Sequence, residues 1–326
     1  MNVHKSNRQL PKVTIMIPTF GQQNVILDAV NSALAQDYPN LEVIVADDAS
    51  PDRTGDVIAT LSDDRLCYHR NDTNLGRVGN YRNTLYRLAQ GDWVVNLDGD
   101  DYFTDSGFVS AAVARTLKDP EVVIVAARRQ SDSSEVRLDH IPGDVTLRGL
   151  QVLKNIRDPA YHFSHMATLY NRRAAISIDF YRHNVISSDW ESLYRLATTG
   201  KVSFLDRVVG VWRQTSRNAS RTSVIRHWVE NLTIWKGIFD VAIAAGLDKR
   251  EADILRRKVE RDFAYSGYSR IAELNHPGLL VEYLSASRNV IGWGGSVNLL
   301  TDWRVVGKFV LSALRSRKPE RAEALV

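Results

Sequence analysis

Four short apolar runs separated by helical stripes constrain this chain more than any other feature. Val13-Thr14-Ile15-Met16-Ile17, Leu41-Glu42-Val43-Ile44-Val45-Ala46, Arg65 to His69, and Trp93-Val94-Val95-Asn96-Leu97 read as strands. Between them, Asn24 to Gln36 carries Val25, Ala29, Val30, Ala33 and Leu34 on one stripe. Asn24 stands where it can cap that helix, and Pro39 bars its continuation. Asp52-Arg53-Thr54 opens a short helix to Leu61, and Asn80 to Gln90 forms another, stopped by Gly91. Strand and helix in alternation predict an α/β fold: a mixed, mostly parallel sheet with helices on both faces.

In an open sheet of this kind, ligands bind beyond the carboxyl ends of the strands. The first, second and fourth strands end in polar residues, and the fourth runs into Asp98-Gly99-Asp100-Asp101. Three carboxylates at the end of a buried strand repel one another unless a hard cation sits among them. Asp98 and Asp100 are therefore candidate ligands of a divalent ion, Mn²⁺ or Mg²⁺, that could hold a diphosphate. The competing reading is a turn, since Asp and Gly are the residues turns favour.

Composition removes several classes. Among 326 residues, 44% are hydrophobic and 25% charged, which fits a globular chain with a large core. The net charge of +4 is spread among interspersed acids and bases, so no nucleic-acid partner is expected. A single cysteine, Cys67, excludes an internal disulfide and a cysteine-based metal cluster, and reads as a small core residue. Met1 to Pro11 is polar and lacks the apolar core of a signal peptide. No run of about 18 apolar residues exists. The expected compartment is the cytoplasm, free or peripherally at the inner face of a membrane.

Further on, Phe108 to Leu117 reads as a helix and Glu121 to Ala127 as a strand. Arg128 to Gly143 reads as a loop or hairpin. Met166 to Tyr170 is strand-like, Asp189 to Thr198 helical, and Val202 to Leu205 and Val208 to Trp212 are two strands. After about Ser220, Ile225 to Ala245, Lys249 to Leu274, Gly278 to Ser287 and Val305 to Arg315 read as helices.

The motifs at the strand ends resemble those of the family 2 glycosyltransferases of GT-A fold. The opening strand ends in Ile17-Pro18-Thr19-Phe20-Gly21, with Gly21 where the family usually has Asn. Gln36-Asp37-Tyr38-Pro39 follows the first helix, Asp47-Asp48-Ala49-Ser50 ends the second strand, and Asn74-Leu75-Gly76 precedes Arg82-Asn83. Gly91-Asp92-Trp93 leading to Asp98-Gly99-Asp100-Asp101 completes the set. Five elements in order over about ninety residues are specific. More faintly, Ser188-Asp189-Trp190-Glu191 stands where members carry Glu-Asp before a helix. Val211-Trp212-Arg213-Gln214-Thr215 stands where many carry Tyr-Arg-x-His, without the histidine.

The resemblance implies a nucleotide-diphospho-sugar donor, UDP-linked by preference, and an inverting transfer to an acceptor hydroxyl on a glycan or lipid-linked sugar in cell-surface glycan synthesis. It implies that Pro18, Thr19 and Phe20 line the base pocket, that Asp48 accepts a hydrogen bond from uracil, and that Asp98 lies near the ribose. Gly99 lets backbone approach closely. Arg82 would neutralise phosphate charge or pair with an aspartate of the site. Asp189 takes the place of the general base. Its competing reading is a helix cap, with Ser187 and Ser188 as rivals, and Glu191 is the second candidate base. Residues 1–219 would form the transferase domain, with a nucleotide-sugar half over about 11–104 and an acceptor half over about 105–219. A helical extension over 220–326 would follow.

Other residues carry weaker expectations. His162 and His165 precede a strand on the acceptor side, though a lone histidine is more often packed. Trp190, Trp212 and Trp293 could stack on sugars, but core packing is favoured. Val305, Val306, Phe309, Val310, Ala313 and Leu314 share one side of a final helix ringed by Arg304, Lys308, Arg315, Arg317 and Lys318. Packing on its own domain is favoured over an anionic membrane surface. A dehydrogenase would need a glycine-rich turn after the first strand, and a haloacid-type phosphatase an earlier Asp-x-Asp. A nucleotidyltransferase would need a basic phosphate loop. The remaining rival is a binding module that has lost catalysis.

Overall fold

The computed structural model describes residues 10–132, 143–215, 224–272, 277–301, 305–307 and 310–311. Along β1 (Val13–Thr19), Val13, Ile15 and Ile17 pack in one core while Met16 packs in another. That alternation follows from the two-residue period of a strand. β2 (Leu41–Asp47) and β4 (Trp93–Asn96) repeat it: Val43, Val45, Trp93 and Val95 face one side, Ile44 and Val94 the other. The first face is covered by α1 (Ile26–Leu34), α2 (Thr54–Ile58) and α4 (Phe108–Lys118). The second is covered by α3 (Arg77–Asn83) with its π-helical continuation Thr84–Leu88, by α5 (Gly149–Lys154) and α6 (Arg172–Ser177), and by α7 (Ser188–Ala197).

Among the described residues the sheet has nine strands, in the order β3-β2-β1-β4-β8-β6-β9-β5, with β7 beside β9. β3 (Leu66–Arg70), β2, β1 and β4 are parallel. β8 (Thr168–Asn171) runs against both β4 and β6 (Val122–Ser131), and β9 (Lys201–Trp212) is parallel to β6. β5 (Tyr102–Phe103) and β7 (Val145–Arg148) run against β9. The register Met16↔Asn96 brings the carboxyl ends of β1 and β4 level, and Thr19↔Asp47 does the same for β1 and β2. Pro18 lies beyond the last β1–β4 pair and before Gly99, whose N–H reaches the Pro18 carbonyl at 3.2 Å.

Past residue 224 the described elements are all helices: Ile225–Leu232, Ile234–Ala244, Lys249–Ala272 and Pro277–Thr301, the last kinked at Gly292. Trp235, Ile238, Phe239 and Ala242 extend the second core. No helix among the described residues is long and apolar enough to cross a membrane.

Several local expectations change. Asn24 does not cap α1; Val25 holds that position without a side-chain bond, and the Val25 and Ile26 amides donate to the Gln22 carbonyl. The third helix begins at Arg77 rather than Asn80, because Gly76 at φ +76° turns the chain directly into it. The two expected strands 202–205 and 208–212 are one strand paired with β6 through shifted register, a bulge rather than a break. The expected helix 225–245 divides at Thr233. Cys67 is exposed: β3 is the sheet's outer strand, so a residue type that usually marks a core faces outward. The expectations for residues 133–142, for the Trp293 side chain, and for Arg304, Lys308, Phe309, Ala313, Leu314, Arg315, Arg317 and Lys318 lie outside the described residues.

Candidate active site

Two adjacent aspartates at the end of β2 have separate tasks. Asp47 is fully buried and structural. Its Oδ1 accepts from the Ser50 amide at 2.7 Å, and its Oδ2 from Tyr68 Oη at 2.6 Å and Arg70 Nη1 at 3.0 Å. The turn it closes puts Ala49 at φ +61°, a left-handed backbone that costs a non-glycine residue about 1 kcal/mol or more. Asp48 is 3% exposed. Its Oδ1 accepts from Asn71 Nδ2 at 2.9 Å and the Leu75 amide at 2.8 Å, and its Oδ2 has no protein donor among the described residues. Asn71 is in turn held by Asn80 and Asn83, and Asn80 donates to the Ala46 carbonyl at 2.7 Å. A carboxylate with one oxygen locked and one open can meet a single N–H donor. Phe20 (50% exposed) follows Thr19, whose carbonyl accepts the Asp48 amide, and Leu75 (46% exposed) supplies the amide that Asp48 accepts, so both chain segments at Asp48 carry an exposed apolar side chain.

The acidic run lies at the end of β4. Asp98 Oδ1 accepts from Tyr81 Oη at 2.8 Å and Asn96 Nδ2 at 3.0 Å, while Oδ2 accepts no hydrogen bond among the described residues. His165 Nδ1 stands 4.0 Å from that oxygen. Asn96 Nδ2 lies 3.1 Å from His165 Nδ1, and His165 Nε2 lies 2.5 Å from Tyr181 Oη. Tyr181 itself has φ +59°, a strained backbone for an aromatic residue. Burial, then the Asp98 charge, pushes the Asp100 carboxyl up to about 6. Burial, then Asp98 and Asp100, raises Asp101 well above the ordinary carboxylate range. Asp101 accepts the Arg213 amide at 2.9 Å, so the strand end lacking the family histidine still closes on the acidic run through backbone. Gly99 is packed without room for a side chain, its missing Cβ facing Gln22, Ile26 and Thr19.

Asp189 occupies the first turn of α7, and Ser187 holds the cap position without a side-chain cap bond. A helix N-terminus favours a carboxylate there. Arg77 joins this helix to the acidic run. Its Nη2 donates to the Val185 and Ile186 carbonyls at 2.8 and 3.0 Å, its guanidinium lies 5.5 Å from the Tyr81 ring centre, and the Asp189 and Asp98 charges are among those that favour its charged form. The structure thus brings Asp98, Asp100, Asp189, Tyr81, His165 and Arg77 to one place, with Asp48, Thr19 and Phe20 alongside.

Other candidates lie elsewhere. Arg82 pairs with Asp179 at 2.6 Å and donates to the Phe180 carbonyl at 3.0 Å, rather than pairing with an aspartate of the acidic run. Arg77 is the guanidinium that the sequence reading missed. Glu191 is 1% exposed and locked by Arg182 and Arg195 at 2.8 and 2.7 Å, so its oxygens are committed to ion pairs. His162 bonds the Ile156 carbonyl and packs edge-on to Trp190. Trp190 donates to the Phe163 carbonyl and packs among Tyr194, Trp235 and Phe263. Trp212 lies under Arg129.

The donor set fits a divalent ion in part. Crowded carboxylates, an open Asp98 oxygen and a close-packed glycine between the two candidate ligands suit a hard cation. No group of three or more His, Cys, Asp or Glu side chains among the described residues forms a complete cage. That is the pattern of an ion held by one or two carboxylates with substrate phosphates completing the shell.

Comparisons with known proteins bear on the family and the fold. Residues 14–178 match Glycosyl transferase family 2. The UDP-Glc:α-D-GlcNAc-diphosphoundecaprenol β-1,3-glucosyltransferase WfaP of Escherichia coli is 37% identical over 91 residues, 28% of this chain and 36% of that protein. The chain spans between 34% and 49% of the length of the first curated relatives it matches. In fold it resembles S. aureus TarS 1–349 in complex with UDP, with TM-score 0.66 and 17% identity over 94% of this chain and 88% of that one. It also resembles the mannosyltransferase PcManGT of Pyrobaculum calidifontis in complex with GDP-Man and Mn²⁺, with TM-score 0.59 and 17% identity over 95% of this chain and 88% of that one. The sheet and its flanking helices are thus a GT-A fold, and the chain belongs to glycosyl transferase family 2.

Proposed function

We propose that the protein transfers a sugar from a UDP-linked donor to an acceptor hydroxyl with inversion at the anomeric carbon. The observation that supports this is a chain of contacts: Arg77 holds the Val185 and Ile186 carbonyls just ahead of α7 and lies against the Tyr81 ring, and Tyr81 donates to Asp98 at the end of β4. In this reading Asp98 serves the diphosphate side and Asp189 the acceptor side of one crevice. The open Asp48 oxygen takes the uracil N–H, with Pro18, Thr19 and Phe20 forming the base pocket. Asp98 and Asp100 would hold Mn²⁺ or Mg²⁺, which when bound neutralises charge gathering on the departing diphosphate.

Asp189 accepts the proton of the acceptor hydroxyl as its oxygen bonds to the anomeric carbon. The bond from that carbon to the diphosphate oxygen breaks, and its electron pair leaves with UDP. Attack from the face opposite the leaving group inverts the centre. In this reading the transferase domain spans 1–219, and the extension spans 220–326, whose described elements are helices. The acceptor is a glycan or a lipid-linked sugar of the cell surface, as the names of the relatives suggest. The protein works in the cytoplasm, with peripheral membrane contact through exposed Val306, Val310 and Leu311 beside buried Val305.

Sugar-nucleotide turnover with Mn²⁺ tests the reading. Asp189→Asn and Asp100→Ala should each lose most of the rate. Full turnover in Asp100→Ala refutes the metal assignment, and UDP binding with no transfer from any donor refutes catalysis. Liposome co-sedimentation unchanged by removing 305–326 refutes the membrane contact.

A further inference from the structure

Three consecutive residues before α7 are tied from outside their own segment. Arg77, on α3, holds the Val185 and Ile186 carbonyls. Asn231, on the helix Ile225–Leu232, accepts the Ser187 amide through Oδ1 at 2.7 Å and donates from Nδ2 to Ser187 Oγ at 3.1 Å. Asn231 is 2% exposed, and both ends of its amide are spent on Ser187. Asp189 follows two residues later.

Neither tie is needed to form α7. The helix makes its own ladder from Ser187 onward, with the Glu191 amide on the Ser187 carbonyl at 3.0 Å. Its inner face is fixed by fully buried Leu193, Tyr194, Leu196 and Ala197. What the ties add is the position of the first turn, where Asp189 is only half-buried.

We propose that Asn231 and Arg77 are positioning residues for the Asp189 carboxylate, so that the helical region beyond residue 224 completes the active site without touching substrate. Arg77 pulls the loop toward the donor side, where Tyr81 and Asp98 lie. Asn231 holds it from the helical side. Removing either tie lets the first turn of α7 shift, and a shift of about 1 Å in a reacting group costs up to a hundredfold in rate.

The inference rests on the transferase reading above, and the test separates the two. Steady-state kinetics with varied donor and acceptor would be run on the full chain and on Asn231→Ala, Asn231→Asp, Arg77→Lys and Arg77→Met, with Mn²⁺–UDP affinity measured by calorimetry. Asn231→Ala should lower kcat about tenfold to a hundredfold with donor KM and Mn²⁺–UDP affinity within about twofold of the parent. Asn231→Asp keeps an acceptor for the Ser187 amide and should recover most of kcat. Arg77→Lys, which presents a compact ammonium in place of the guanidinium fork, should fall between parent and Arg77→Met. Hydrogen exchange should speed up at the Ser187 amide in Asn231→Ala, a readout independent of turnover.

An active parent with unchanged kcat in Asn231→Ala overturns the positioning role. So does a loss that Asn231→Asp fails to recover while the variant still binds Mn²⁺–UDP. A parent that binds UDP and transfers nothing overturns the transferase reading itself, and the exchange at Ser187 then still reports on the tie.

Discussion

Gly99→Ala tests how the acidic run is held. The added methyl would meet Gln22 Oε1 first, then lie 2.9 Å from Ile26 Cδ1 and 3.1 Å from Thr19 Cβ. Ile26 is fully buried and has nowhere to go. Gln22 can swing away, but only by giving up its 2.6 Å bond with Thr19 Oγ1. Overpacking of this kind costs about 1–3 kcal/mol, while replacing glycine by alanine recovers about 0.4–1 kcal/mol through the unfolded chain. The net expectation is a loss of about 1–2 kcal/mol, or a fall of roughly 1.5–3 °C in Tm. Mn²⁺–UDP binding should weaken more than stability does, because Asp98 and Asp100 flank the displaced residue. Thermal melts and calorimetry on the single variant and on Gln22→Ala/Gly99→Ala decide the matter. The double variant should regain part of the loss, since the two sites share one space. A Gly99→Ala protein that melts with the parent and binds Mn²⁺–UDP as tightly would refute the packing argument.

Four further outcomes follow from the same structure. The Asp100 carboxyl is raised to about 6, so the folded state holds a proton the unfolded chain releases near 4. The metal-free protein should therefore lose stability as pH climbs from about 4 through 6, Asp100→Asn should flatten that slope, and Mn²⁺ should raise Tm more at pH 8 than at pH 5.5. Asp48→Asn keeps an acceptor for Asn71 and Leu75 but turns an amide donor toward the base, so UDP affinity should drop about tenfold to a hundredfold in calorimetry with little change in Tm. Glu191→Ala strands two guanidinium groups, one of them 3% exposed, and should cost about 3–5 kcal/mol in denaturant titration. Exposed Cys67 should react with a thiol reagent in the native protein without denaturant, and Cys67→Ser should melt with the parent.

The parallel half of the sheet was legible because periodicity survives in the sequence: runs such as Val43-Ile44-Val45 serve two buried faces and leave nothing for solvent. The donor-side motifs were legible for the same reason, since a strand end announces itself by the change from apolar to Asp or Pro. Strand order does not announce itself. Nothing local to Leu66-Cys67-Tyr68 says that it lies at an edge, and so Cys67 was misread. Arg77 was overlooked because its partners, the Val185 and Ile186 carbonyls, lie 108 and 109 residues away. Asn80 and Asn83 figured only as the start of a helix and as part of the Arg82-Asn83 motif, because spacing does not show that they converge with Asn71 behind Asp48. Glu191 looked like a spare base because sequence spacing does not reveal that Arg182 and Arg195 close on it.

The tie between Ser187 and Asn231 also bears on the order of assembly. Strands β1 to β4 are near neighbours in sequence and can pair early, since short loops close at small entropic cost. Asn231 stands 44 residues beyond Ser187, after β9 and well into the helical segment. A growing chain can thus build its nucleotide pocket while the base-bearing turn is still loose. It would hold donor before it could spend it, and a ribosome-stalled chain ending before Asn231 should bind Mn²⁺–UDP yet transfer sugar poorly.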